Sequence, residues 1–228
     1  MIELKGRLKA IADFVPQGSV VIDVGTDHAY LPIYLVQAGI CPKALGVDVH
    51  KGPFQSAVDQ VLAQGLENKI TVILGDGLKP VKPMSGDVIT IAGMGGTTMR
   101  EILAARPEVL AKVSRLILQP QVAGGALRLW LLQNGWALVD ERLVEEENRI
   151  YEIIIAEPGI QEIPSELELE LGPIILAKED PLLRELINRH LEGLEKVLAQ
   201  LENVQSGEAQ EKKQAISQRV ESLRGVFE

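Results

Sequence analysis

Short apolar, β-branched runs alternate with stretches of helical periodicity along the first part of the chain. Because the runs are apolar throughout, they are typical of strands in a parallel sheet that helices cover on both faces. The pattern therefore predicts an α/β fold with a doubly wound, mostly parallel sheet. The predicted strands are 19–24, 43–49, 70–75, 87–93 and 114–120, and the predicted helices are 3–13, 30–39, 53–66, 97–110 and 125–135.

The rhythm changes after residue 135. Residues 136–159 contain two long strand-like runs separated by the polar stretch "EEEN", which predicts a terminal β-hairpin that adds an antiparallel strand to the sheet. The stretch 157–166 has two prolines and no clear periodicity. We therefore predict a first domain over residues 1–160 and a C-terminal helical region over residues 161–228.

The last part of the chain carries a helical stripe. From Leu183 to Val204, apolar residues recur at steps of three or four, and "QSGE" (205–208) can turn the chain into a second helix. The stripe of that helix is Ile216, Val220 and Leu223. This pattern predicts a helical hairpin, an antiparallel coiled coil; packing on the first domain or dimerisation remains open as its only role.

Composition excludes several classes of protein. The 228 residues include one cysteine, Cys41, so an internal disulfide and a cysteine zinc cluster are excluded, and we expect no metal. No apolar run reaches the roughly 18 residues of a membrane span, and the charged N-terminus does not resemble a signal peptide, so we expect a cytoplasmic protein. The net charge of −9 argues against non-specific coating of nucleic acid, although a local basic face can coexist with it. A monomer is slightly favoured.

Polar residues cluster where the predicted strands end, which is where doubly wound folds bind ligands. Asp48 lies 25 residues after Asp23, close to the offset of an acid that holds both hydroxyls of a ribose. Asp76 can accept the amino group of an adenine, and Gly77 lets the ring approach the backbone; both aspartates could also be ordinary loop residues. The strand-end residues are Asp23, Gly25, Thr26, Asp27, His28, Asp48, Asp76, Gly77, Ala92, Gly93 and Met94.

The first turn discriminates between cofactors. An NAD site needs G-x-G-x-x-G, whereas the three positions here are Gly25, Asp27 and Tyr30. A carboxylate facing a pyrophosphate would also be repelled by it. S-adenosylmethionine has no phosphate and carries a sulfonium and an amine, so the acidic residues favour it as the cofactor.

Several segments together resemble the bacterial tRNA (adenine-22-N1)-methyltransferases. They are "DVGTDHAYLP", "GDGL", "ITIAGMGG", "LILQP" and "LGPIILAKE", and the similarity covers roughly three quarters of the chain. The resemblance implies a class I, Rossmann-like methyltransferase domain with a C-terminal coiled coil, which uses S-adenosylmethionine to methylate N1 of one tRNA adenosine.

The resemblance also implies roles for individual residues. Asp23, Gly25 and His28 would shape the methionine end of the cofactor site, Asp48 would bind the ribose, and Asp76 and Gly77 would hold the adenine. The segment 92–94 replaces the Asn-Pro-Pro-Tyr type motif of many amino-group methyltransferases, which agrees with a ring nitrogen as the target.

Asp27 is our candidate for the catalytic residue. N1 of neutral adenine attacks without losing a proton, so the reaction needs no obligatory general base; a carboxylate that accepts a hydrogen bond from the exocyclic amine would orient N1 and stabilise the developing charge. The alternative is that Asp27 only caps the following helix. For the substrate we single out Tyr30, which could stack on a flipped base, Gln119, which could bind the base, and Arg7, which could anchor a phosphate; each could also be structural.

Two other functions remain open from the residues. One is an S-adenosylmethionine-dependent methyltransferase of a small molecule or protein, and the other is a non-catalytic module that binds S-adenosylmethionine. RNA would need phosphate contacts, for which the C-terminal hairpin is the favoured place. The candidate arginines outside the hairpin are Arg7, Arg100, Arg106, Arg115 and Arg128.

Overall fold

A seven-stranded sheet forms the centre of the protein in our computed structural model, which describes residues 2–201 and 207–227. The strand order is β3-β2-β1-β4-β5-β7-β6, and the pairs among the first five are all parallel, which confirms the predicted sheet. The strands are β1 (Val21–Val24), β2 (Ala44–Asp48), β3 (Ile70–Leu74), β4 (Val88–Met94), β5 (Arg115–Pro120), β6 (Trp136–Glu146) and β7 (Arg149–Pro158).

Helices cover both faces of this sheet. Successive residues of a strand point to opposite faces, so Ile117 packs with the first three helices and Leu118 with the next three. The predicted doubly wound fold is confirmed. The helices are α1 (Gly6–Asp13), α2 (Tyr30–Gln37), α3 (Lys51–Ala63), α4 (Gly96–Ala104), α5 (Pro107–Leu110), α6 (Gly124–Gln133), α7 (Glu166–Leu171), α8 (Pro173–Ala177), α9 (Leu183–Leu201) and α10 (Gly207–Arg224), followed by a 3₁₀ turn at Gly225–Phe227.

The predicted hairpin forms the end of the sheet beyond β5. Strand β7 runs antiparallel between β5 and β6. The chain therefore forms the edge strand β6 first and then inserts β7 between β6 and β5. The turn consists of Glu147 and Asn148, which both have positive φ angles (50° and 60°). Two such residues match the right-handed twist of the flanking strands.

The helical predictions differ from the structure in two places. The helix expected over 97–110 divides at Arg106, because Pro107 has no N–H to donate and disfavours a helical conformation in the residue before it. Residues 166–177, for which we predicted no element, form α7 and α8. Ser165 and Glu168 cap each other's backbone at the start of α7, and Gly172, with a φ of 92°, ends that helix.

The two C-terminal helices pair antiparallel, as predicted. Leu223, near the end of α10, is buried in one apolar cluster with Leu183 and Ile187 from the start of α9. Leu143 of β6 belongs to the same cluster, so the helical hairpin packs directly on the sheet domain. Val204 and the first half of the 205–208 turn lie outside the described residues, and the division of the chain at residue 160 stays a prediction.

Arg128 was wrongly placed among the candidate RNA contacts. Its side chain is fully buried, where Nε donates to Glu141 and a terminal nitrogen donates to Glu152. The other terminal nitrogen donates to the carbonyls of Leu169 and Glu170. Arg128 therefore connects α6, β6, β7 and α7 and is not available to a ligand. In the described part of the chain, no helix is long and apolar enough to cross a membrane.

Candidate active site

A cleft of about 440 Å³ opens at the carboxyl ends of strands β1 to β4. Doubly wound folds bind their ligands at this edge, where the strand order reverses between β1 and β4. The cleft brings together most of the strand-end residues that the sequence singled out. Those that line it are Gly25, Asp27, Asp48, Asp76, Gly77, Ala92, Gly93 and Met94.

The turn after β1 has an unusual backbone conformation. Gly25, Asp27 and Ala29 all have positive φ angles, at 76°, 50° and 56°. A Cβ at Gly25 would lie 2.4 Å from the Cε of Met94, so only glycine fits where the turn passes the end of β4. Left-handed conformations of residues other than glycine are uncommon, and aspartate is among those that tolerate them best.

Asp27 lies in this turn without capping a helix. The N-cap of α2 is Ala29, and no side chain accepts a hydrogen bond there, so the capping alternative is contradicted. The side chain of Asp27 is 66% exposed, and one carboxylate oxygen lies 3.7 Å from Nε2 of His28. The carboxylate is therefore accessible to a ligand in the cleft.

Asp48 lines the cleft, and its carboxylate accepts two backbone hydrogen bonds. Oδ2 accepts a hydrogen bond from the backbone N–H of Asp27 at 3.1 Å, and Oδ1 accepts one from that of His50 at 2.9 Å. Each carboxylate oxygen has two acceptor positions, so one on each remains for a pair of ligand hydroxyls. The same side chain thus fixes the turn that carries Asp27 and can bind a diol.

Asp23 and Thr26 lie behind the cleft rather than in its lining. The two carboxylate oxygens of Asp23 accept hydrogen bonds from the hydroxyls of Thr26 and Thr90, both at 2.7 Å. Burial raises the pKa of Asp23 above its ordinary value, although the two hydroxyl hydrogen bonds act in the opposite direction. These two residues therefore hold the shape of the turn.

The far end of the cleft lies between β2, β3 and α4. Asp76 lines it and forms an ion pair with Lys79, while Gly77 has a positive φ of 53° and faces Ile102. From the sequence we did not single out the other residues that line this part of the cleft, because they lie in the loops and helices that follow the strand ends. These residues are Val49, His50, Pro53, Thr98 and Ile102.

The end of β4 is held by two residues that we predicted to bind substrate. Gln119 is completely buried, and its Oε1 accepts hydrogen bonds from the backbone N–H of Gly93 at 3.1 Å and from Arg7 at 2.9 Å. Arg7 also pairs with Glu146 and lies over the ring of Tyr151. The β-bulge between Ala92 and Met94 is therefore supported from behind by Gln119 and Arg7, neither of which lines the cleft.

His28 and Tyr30 lie next to Asp27 but outside the lining. Their rings stack with centroids 5.3 Å apart, and Tyr30 is 40% exposed. The pair forms a small aromatic surface beside the turn, available to a flat ligand that approaches from solvent.

The charge of the cleft favours a cationic ligand. Three aspartates, Asp27, Asp48 and Asp76, and no lysine or arginine are among the described residues that line it. A dinucleotide pyrophosphate would meet carboxylates there without a compensating cation. S-adenosylmethionine fits this set of residues, because it carries a sulfonium, an amine and a ribose diol.

Comparison with known proteins identifies a methyltransferase family. The family model for tRNA (adenine(22)-N(1))-methyltransferase matches residues 21–225. The tRNA (adenine(22)-N(1))-methyltransferase of Bacillus subtilis is 34% identical over 233 aligned residues, which cover all of this chain and 98% of that protein.

Solved structures are similar over the whole length. The crystal structure of the Bacillus subtilis m1A22 tRNA methyltransferase superimposes with a TM-score of 0.92 at 33% identity and covers 100% of both chains. A Streptococcus pneumoniae protein in complex with S-adenosyl-L-methionine has a TM-score of 0.89 at 37% identity and covers 97% of this chain and 98% of its own. A Mycoplasma capricolum protein in complex with S-adenosyl-homocysteine has a TM-score of 0.83 at 29% identity, with 97% and 96% covered.

Proposed function

Since this chain belongs to the tRNA (adenine(22)-N(1))-methyltransferase family, we propose that the cleft described above is where it performs the family's reaction. The protein transfers a methyl group from S-adenosylmethionine to N1 of adenosine 22 of tRNA. The observation that carries the proposal is the acidic, phosphate-excluding cleft at the carboxyl ends of β1 to β4, which Asp27 reaches with an accessible carboxylate.

The cofactor residues act through their chemistry and position. Asp48 accepts hydrogen bonds from both ribose hydroxyls with the acceptor positions that the backbone leaves free. Asp76 accepts a hydrogen bond from the adenine amino group. Gly77 has no side chain, so the adenine ring can approach the backbone there. Gly25 and Gly93 form the narrow end, where a bound S-adenosylmethionine supplies an electrophilic methyl group on a sulfonium. Asp23, Thr26 and His28 shape the turn around that end.

Asp27 acts on the adenosine. It accepts a hydrogen bond from the exocyclic amine, which places the N1 lone pair in line with the methyl group. As N1 forms its bond to that carbon, the carbon–sulfur bond breaks and the base becomes a cation. The Asp27 carboxylate stabilises this charge in the transition state. Tyr30, beside Asp27, stacks on the extruded base, since N1 lies on the pairing edge and the nucleotide must leave its stack.

The remaining proposals concern partners and setting. The substrate partner is tRNA, and the C-terminal hairpin packs on the sheet domain through the apolar cluster that includes Leu143 of β6. We propose a cytoplasmic monomer that binds no metal. A methyltransferase of small molecules would share the cleft, and it is distinguished by its indifference to tRNA.

Methyl transfer to two tRNA transcripts, one with adenosine and the other with guanosine at position 22, tests the function. We expect labelled S-adenosylmethionine to modify the first transcript alone, with the label recovered as 1-methyladenosine after digestion to nucleosides. Equal labelling of both transcripts would contradict the assigned position, and recovery of N6-methyladenosine would contradict N1 as the acceptor.

A further inference from the structure

A second and larger cavity lies between the sheet domain and the C-terminal hairpin. This groove has a volume of about 740 Å³. It is bordered by residues 120–125 around the β5–α6 loop, by the hairpin turn with the start of β7 (148–152), by the α9 residues Leu186, Arg189 and His190, and by Leu143 of β6 and Glu170 of α7. Nothing in the proposed methyl transfer uses these residues. The volume is in the range of pockets that bind a drug-sized ligand, roughly 300–1,000 Å³.

The groove adjoins residues at the edge of the active-site cleft. The N–H of Gln121 donates to the carbonyl of Met94 at 2.8 Å, and the N–H of Gly96 donates to that of Val122 at 2.9 Å. The loop that borders the groove is therefore hydrogen-bonded to the end of β4 that lines the cleft. Val122 is 67% exposed at this junction, so its side chain is accessible to a ligand that lies across the loop.

The charges of the groove suit a polyanion that also has apolar parts. Its two acids are each held by an arginine, Glu152 by the buried Arg128 and Glu170 by Arg219. Arg149, at the exposed end of the hairpin, forms no ion pair or hydrogen bond through its side chain with any residue that the structure describes.

His190 of α9 also borders the groove. Burial lowers the pKa of His190 below its ordinary value, and the nearest acid to it is Glu170, at 3.8 Å. Tyr151 and Leu186 supply aromatic and aliphatic surface on the two sides of the groove. Stacking surfaces beside a cation are the usual means of holding unpaired nucleotides.

We propose that this groove holds the nucleotides adjacent to adenosine 22, with Arg149 contacting a backbone phosphate. The inference rests on the proposed function, because a nucleotide whose base has entered the cleft keeps its neighbours within one backbone step of it. The loop that borders the groove is hydrogen-bonded to the end of β4, which lines the cleft, and the opposite border of the groove is α9. The C-terminal hairpin then acts as one wall of the RNA site, which explains why it packs against β6.

Charge reversal at Arg149 tests the groove. In Arg149→Glu, we expect the KM for the tRNA transcript to rise about tenfold. The logarithm of the tRNA association constant should fall less steeply with the logarithm of salt concentration, by about 0.7 in slope, since one phosphate contact with a single strand is lost. Arg149→Lys should stay near the wild-type KM, because an ammonium also pairs with a phosphate as a point charge. S-adenosyl-homocysteine affinity, measured for each variant, should equal that of the wild type and shows that the protein is folded.

Substitutions at two further positions, Lys43 and Val122, keep the test decisive. Lys43→Glu makes the same change in net charge at an exposed position at the amino ends of the strands, and we expect its KM to equal the wild-type value. At the junction, Val122→Glu should raise the KM for tRNA whereas Val122→Lys should not.

The outcomes separate the groove from the function itself. If the wild type methylates tRNA and Arg149→Glu has the same KM as Lys43→Glu, the groove proposal is overturned while the function stands. Equal losses in Arg149→Glu and Arg149→Lys would overturn the phosphate contact. A wild type that methylates no tRNA would instead refute the function.

Discussion

Replacing Asp27 with asparagine lowers kcat for tRNA methylation by about 100-fold, the scale of losing one group that stabilises transition-state charge. Asparagine is the informative substitution, because it tolerates the positive φ of 50° at this position and keeps a neutral acceptor for the exocyclic amine. The backbone N–H that donates to Asp48 is also retained, so the cofactor side of the cleft stays intact.

The control is affinity for the cofactor product. S-adenosyl-homocysteine should bind Asp27→Asn as tightly as the wild type, and Asp59→Asn, in the middle of α3, should leave both kcat and binding unchanged. Wild-type turnover of Asp27→Asn would show that the Asp27 carboxylate has no role in catalysis. A loss of turnover that follows a matching loss of cofactor affinity would make Asp27 a binding residue.

Replacing Arg128 with alanine lowers the free energy of unfolding by about 3–5 kcal/mol, the usual cost of leaving a buried charge without its partner. Burial alone would lower the pKa of Arg128, but Glu152 and Glu141 raise it above its ordinary value, so the guanidinium stays charged. Without it, the fully buried Glu141 loses its partner for Oε1. Oε2 still accepts hydrogen bonds from two backbone N–H groups at the start of α8.

Urea unfolding measures this difference, with Arg224→Ala as the matched control. Arg224 pairs with Glu195 on the surface of the C-terminal hairpin, with side chains 60% and 50% exposed. Exposed pairs contribute less than about 1 kcal/mol, so its loss should change stability little. Equal effects of the two substitutions would contradict the structural role of Arg128.

The parts of the fold that follow from local pattern were predictable. Apolar runs of strand length predicted the parallel sheet, and the two runs around "EEEN" predicted the hairpin that closes it. In the same way, the capping signal "SELE" at 165–168 indicates the start of α7, and the "GP" at 172–173 indicates the start of α8. We predicted neither helix, although both signals are local in sequence and do not depend on tertiary contacts.

Contacts between distant segments were not predictable in this way. Arg7 donates to Gln119 across 112 positions of sequence, and neither side chain lines the cleft, because Gln119 accepts a hydrogen bond from the backbone N–H of Gly93 instead. From the sequence, Asp23 is a candidate ligand at a strand end. In the structure it lies in register with Thr90, whose hydroxyl donates to its carboxylate. From the sequence, Arg128 is a candidate surface cation. In the structure its side chain is buried and pairs with Glu141 of β6 and Glu152 of β7. In each case the sequence located the residue correctly along a strand or helix, but only the packing decides which way its polar atoms point.

A crystal structure of this protein with S-adenosyl-homocysteine tests the central claim most directly, because it locates ribose, adenine and sulfur in one measurement. We expect both ribose hydroxyls within hydrogen-bonding distance of Asp48, the adenine at Asp76 and Gly77, and the sulfur near Asp27 and Gly93. A ligand bound in the groove beside α9, or bound in the cleft in the opposite direction, would contradict the account.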